Sequence, residues 1–143
     1  MSSPFADAPV PVRVRLSLLW ATIMSLYIYA DYFKLMTPGE IDNLKSQQMP
    51  FGETTPDILI AFSILLILPA LMIAASVLLP ALTTRWLNII LASLYALISI
   101  LILISDIRFE WLRFFVLYQI VELGVFSLII WQAWNWPREV ETH

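Results

Sequence analysis

The chain has 143 residues, of which 60% are hydrophobic and 13% charged, with a net charge of −3. A soluble domain carries about 45–50% apolar and about 25% charged residues, so lipid must solvate most of this surface. The negative charge argues against a nucleic-acid partner, the lack of Cys excludes disulfides and thiolate chemistry, and a lone His at the last position cannot build a bis-His haem or a His-rich metal site.

Residues 1–12 contain Pro4, Pro9 and Pro11 and read as an extended lead-in. Arg13 and Arg15 then precede an uncharged run from Leu16 to Ala30. This imitates a secretory signal, but the small-x-small cleavage pattern is missing and apolar character resumes at Tyr32. The expectation is a retained first span, 16–36, long enough at about 1.5 Å per residue to cross a hydrocarbon core of about 30 Å.

Thr37 and Glu40 have capping-box spacing, with Pro38 at the first helical position. They predict a short helix through Gln48 that lies on the membrane surface with Ile41 and Leu44 on one side. Pro50 and Gly52 break it, and Thr55-Pro56-Asp57 starts the next helix with a cap, a first-turn proline and a first-turn acid. The second span, 58–82, has no charge and carries Pro69 at its middle. Proline frees the carbonyl four residues back and kinks the helix, so this is either a packing kink or else a hinge or a freed carbonyl that lines a cavity. Ala70, Ala74 and Ala75 permit close helix contact.

A short connection from Pro80 to Arg85 makes spans two and three antiparallel neighbours. The third span, 86–105, begins at the interfacial anchor Trp86 and carries Asn88, a hydrogen-bonding residue at its entrance, then Tyr95 and Ser99. A charged turn with Asp106, Arg108, Glu110 and Arg113 leads to the fourth span, 114–136. That span ends in Trp131, Trp134 and Trp136, aromatics suited to the lipid boundary, and Pro137 stops it. The tryptophans as a class are expected to anchor at the interface.

The expected fold is an all-α integral membrane four-helix bundle, up-down-up-down, with a short interfacial helix in the first loop, forming a single transmembrane domain over 1–143. Arg13, Arg15, Arg85 and Arg138 fall on the terminal side and Lys34, Lys45, Arg108 and Arg113 on the other, a tie under the positive-inside rule. Because Arg13 and Arg15 flank the first span directly, cytoplasmic termini are expected. The lipid bilayer is the first partner, with a homo-oligomer or another membrane protein as a further one, and no cofactor is expected.

One charge stands near the middle of the fourth span, Glu122. Ionised at that depth it would cost about 2.5–3.5 kcal/mol on insertion scales, which makes it a functional-site candidate by default. Counted from the non-terminal side, Glu122, Tyr27 and Tyr95 lie roughly 12 Å deep, with Asp31 roughly 8 Å deep beside Tyr118 and Gln119 and Ser99 between. Tyr27 and Asp31 share a helix face, as do Tyr118, Gln119 and Glu122. The expected site is therefore one polar layer of Glu122, Asp31, Tyr27, Tyr95, Gln119 and Ser99, with Lys34 able to pair with Asp31 and Arg113 or Arg108 capping the mouth. The competing reading is interhelical glue, worth about 0.6–2 kcal/mol, for Glu122 and a solvated boundary position for Asp31.

The segments from Leu19 to Gly39, Leu68 to Ile90 and Ile120 to Arg138 together resemble a family of small bacterial four-span proteins classed as a domain of unknown function. The matching elements are Tyr29, Asp31, Tyr32, Phe33, Pro38 and Gly39, then Glu122, then the ending Trp136, Pro137 and Arg138. The resemblance implies a bacterial inner-membrane protein and supplies no activity. Two functions stay open: binding or transport of a small solute, proton or cation through the acidic pocket, or an accessory role in a larger membrane complex. An enzyme stands behind both, since no nucleophile–base set, metal constellation or phosphate loop is present.

Overall fold

A computed structural model of the chain describes residues 8–50 and 52–137. Pro4, Phe51, Arg138, His143 and the rest of both termini lie outside the described residues, as does the arginine of the aromatic-Pro-Arg ending. Four long helices make up the fold: α1 (Val12–Lys34), α3 (Pro56–Leu78), α4 (Ala81–Asp106) and α5 (Arg113–Trp134). All four are long and apolar enough to cross a membrane. Between α1 and α3 lie the short helix α2 (Glu40–Lys45) and a two-residue hairpin, β1 (Gln48–Met49) against β2 (Gly52–Glu53).

The boundaries differ from the expected ones for local reasons. Leu79 is extended because the following Pro80 crowds a helical conformation, so α3 stops at Leu78. Pro80 then caps α4, and the expected connection of 80–85 is mostly the first turn of that helix. Thr37 does not cap α2: its hydroxyl donates to the Lys34 carbonyl at 2.7 Å, closing α1 instead. Gly39, left-handed at φ 83°, takes the cap position. α2 ends at Lys45, short of Gln48, where Gln47 turns to φ 56° and the hairpin begins. Thr55 caps α3 as expected, accepting from the Ile58 amide at 3.3 Å, with Pro56 in the first turn.

α1 packs broadly on α3 and α5, and α5 on α4, while the α3–α4 seam is the narrowest despite its tight turn. The bundle is apolar outside, and its interior sets buried polar groups among an apolar core that includes Leu16, Trp20, Ile23, Phe126 and Ile129. Buried positions on α4 are Thr84, Asn88, Ala92, Tyr95 and Ser99, and those on α5 include Gln119, Glu122, Phe126 and Ile129. This three- and four-residue spacing turns one stripe of each helix to the axis. With lipid as solvent, the apolar core is held by close packing, and polar groups are placed inside, away from the acyl chains.

Trp20 corrects the expectation for the tryptophans. Trp86, Trp131 and Trp134 are exposed at the terminal end, but Trp20 is fully buried on the axis. Its ring stands edge-on to Tyr95 at 6.3 Å and to Phe126 at 6.0 Å, joining α1, α4 and α5. Two arginines close the terminal end. Arg13 donates to the carbonyls of Val77 and Leu79, the latter at 2.6 Å, and Arg85 donates to the carbonyl of Ala133 at 3.1 Å. Each places a cation at the carbonyl end of a neighbouring helix.

Candidate functional site

The bundle interior holds two polar layers with opposite characters. The layer nearer the termini is closed. Trp20 Nε1 donates to Asn88 Oδ1 at 2.7 Å, and Asn88 Nδ2 donates to the Thr84 carbonyl at 2.8 Å and to Ser76 Oγ at 3.3 Å. Asn88 is the hydrogen-bonding residue expected, but it lies about two turns into α4 and not at its entrance: it is fully buried and ties α1, α3 and α4 together. Its amide oxygen and nitrogen both have partners, as interhelical glue requires.

The layer nearer the non-terminal end surrounds a cavity of about 180 Å³. All six polar residues singled out in the sequence line it: Tyr27 and Asp31 from α1, Tyr95 and Ser99 from α4, Gln119 and Glu122 from α5. Glu122 is buried and accepts from Ser99 Oγ at 3.2 Å. Asp31 is exposed, at the rim. The Gln119 side chain is only 3% exposed, and its Oε1 has no hydrogen-bond partner. A buried polar atom left unpaired costs about 1–3 kcal/mol, so this layer is not finished as glue.

Apolar walls complete the cavity: Phe62, Leu65 and Leu66 from α3, Ile98 and Ile102 from α4, and Phe115 from α5. Phe62, Leu66 and Ile102 are also exposed on the outer surface, so the cavity lies against the thin α3–α4 seam. α3 contributes one polar atom here. Pro69 has no amide hydrogen, which leaves the Leu65 carbonyl without its helical donor, and the Tyr95 hydroxyl donates to that carbonyl at 2.6 Å. Sequence reasoning anticipated a freed carbonyl but did not pair it with Tyr95; counting four residues back from Pro69 identifies Leu65.

Three expectations about the surroundings do not hold. Among the described residues the ion pairs are Lys45–Asp42 at 3.9 Å and Arg113–Glu110 at 3.8 Å, both exposed, and Asp31–Lys34 is not one of them. Lys34 lies 5.6 Å from the Phe115 ring centre, within reach of its π-face. Neither Arg113 nor Arg108 lines the cavity, so neither caps its mouth. Tyr118 turns away from Gln119 and Glu122 into a second, larger hollow of about 340 Å³, shared with Phe33, Met36, Trp111 and Phe114. No charged group stands among the described residues that line that hollow, and its aromatic lining at the helix ends suits the lipid–water boundary.

No basic side chain stands among the described residues that line the smaller cavity. Among the described residues, no three His, Cys, Asp or Glu side chains gather to hold a metal ion. The cavity is therefore an acidic, phenolic and amide-lined chamber with one apolar side. It can accept hydrogen bonds and attract positive charge.

A comparison with curated proteins returns no match. A comparison with solved structures returns none either. A family of unknown function (DUF6326) matches residues 11–142. With nearly its whole length matched and four helices able to cross a membrane, the chain belongs to that family and is a multi-span membrane protein.

Proposed function

We propose that this protein sits in a bacterial inner membrane with cytoplasmic termini and binds a small cation, proton or cationic solute in the acidic cavity, passing it across or along the membrane. The observation that carries this reading is the contrast between the two layers. Asn88 has its amide fully partnered, whereas Gln119 keeps an unpaired oxygen beside Glu122 and Asp31, in a chamber whose described lining holds no basic residue. A polar group in such a place is stabilised only when something donates to it. Arg13, Arg15 and Arg85 at the terminal end support the orientation, and the sequence elements around Asp31 and Glu122 support the bacterial setting.

The test is flux in liposomes reconstituted with the full chain, followed with a pH-sensitive dye under sodium and potassium gradients. Wild-type protein should carry a proton or cation current that Glu122→Gln abolishes. Flux that persists in Glu122→Gln contradicts the reading.

A further inference from the structure

We propose that the preferred occupant of the cavity is a small organic ammonium ion with an apolar substituent. This rests on the cavity reading above and narrows it to a ligand class. Gln119 Oε1 is a buried acceptor without a donor, and it lies one helical turn from the Glu122 carboxylate on the same face of α5. One Glu122 oxygen accepts from Ser99, and the group as a whole can accept more. An ammonium head has three donors and no acceptor, so it can serve both residues at once. A neutral alcohol brings one donor and no charge. A carboxylate ligand would meet Glu122 inside and Asp31 at the rim.

A bare metal ion fits less well. Calcium takes six to eight oxygen ligands and magnesium a strict octahedron, and no cluster of three acids or histidines exists among the described residues. The apolar side of the chamber then needs an occupant of its own. Phe62, Leu66 and Ile102 line the interior and also reach the outer surface, so the wall opposite the acceptors is apolar. Its volume of about 180 Å³ is below the roughly 300–1,000 Å³ of drug-sized sites, which restricts the substituent to a short alkyl chain or a single ring.

Benzylammonium, butylammonium, benzyl alcohol and sodium chloride distinguish the possibilities when titrated by calorimetry against the full chain in nanodiscs. Both ammonium ions should bind saturably, at least tenfold more tightly than benzyl alcohol. Gln119→Leu and Glu122→Gln should each weaken that binding at least tenfold, while Thr55→Ala, at the remote cap of α3, should leave it unchanged. If Glu122→Gln does not purify folded, Gln119→Leu carries the comparison. Equal affinity for benzylammonium and benzyl alcohol overturns the ligand class, because apolar partitioning alone would explain it. Sodium or proton flux that depends on Glu122, without ammonium binding, overturns this inference and leaves the cavity reading intact. Absence of both ammonium binding and Glu122-dependent flux overturns the two together.

Discussion

The Tyr95 hydroxyl of α4 donates at 2.6 Å to the carbonyl of Leu65 on α3, the one carbonyl that Pro69 leaves without a helical donor. A defect in one helix is thereby repaired by its neighbour, on the wall of the cavity. The bond also spans the α3–α4 seam where backbone packing is thinnest.

Tyr95→Phe removes that donor and leaves the carbonyl unpaired, at a cost of about 1–3 kcal/mol. Restoring an amide hydrogen with Pro69→Ala should recover much of the loss. The double variant Tyr95→Phe/Pro69→Ala should therefore be more stable than the sum of the two single effects. Unfolding of the purified protein in mixed micelles with rising dodecyl sulfate measures this, and strict additivity would show that the Tyr95–Leu65 bond is not coupled to the proline.

Asn88→Leu keeps the volume of the buried side chain but strips the acceptor from Trp20 Nε1 and the donor from Ser76 and the Thr84 carbonyl. The same unfolding measurement should show a loss of about 1–3 kcal/mol. Ser76→Ala should cost less, because Asn88 Nδ2 keeps its shorter bond to Thr84.

Gln119→Leu should behave in the opposite way. Its amide oxygen has no partner to lose, so replacing it with an apolar side chain of similar size should leave stability unchanged or raise it by up to about 1 kcal/mol. A group retained at a stability cost is characteristic of sites kept for function. A loss as large as that of Asn88→Leu would show that Gln119 is structural.

Arg13→Ala should destabilise by about 0.3–2 kcal/mol, since it uncovers the Val77 and Leu79 carbonyls at the end of α3. Arg13→Lys keeps the charge and should recover part of the loss. Unfolding curves for the two variants, compared at one protein concentration, supply the check.

The four spans were legible because runs of twenty apolar residues have no other stable home, and the level of Glu122 followed from counting turns. The six polar residues could be grouped for the same reason: depth along a helix is set by its rise. Rotation about each axis was harder to read. Tyr118 is adjacent to Gln119 in sequence, yet it turns into the aromatic hollow, because helix neighbours diverge by about 100°. Trp20 read as an interface anchor by residue type; only its three-dimensional partners, Tyr95, Phe126 and Asn88, make it a core residue. The Thr37 cap failed because the end of α1 and the start of α2 compete for the same hydroxyl, and α1 holds it. The residues that wall the chamber with hydrocarbon, Phe62 and Phe115 among them, carry no mark in a sequence that is apolar almost everywhere.

Because the chain contains no cysteine, single cysteines can report directly on whether the Glu122 layer is an open chamber or packed glue. Ser99→Cys places a thiol in the cavity wall, and Ser76→Cys places one in the closed Asn88 layer. The measurement is the labelling rate of each by 2-aminoethyl methanethiosulfonate and by its anionic sulfonatoethyl counterpart. An acidic chamber predicts rapid modification of Ser99→Cys by the cationic reagent, slow modification by the anionic one, and no reaction of Ser76→Cys. Equal inertness of the two thiols toward both reagents would contradict it.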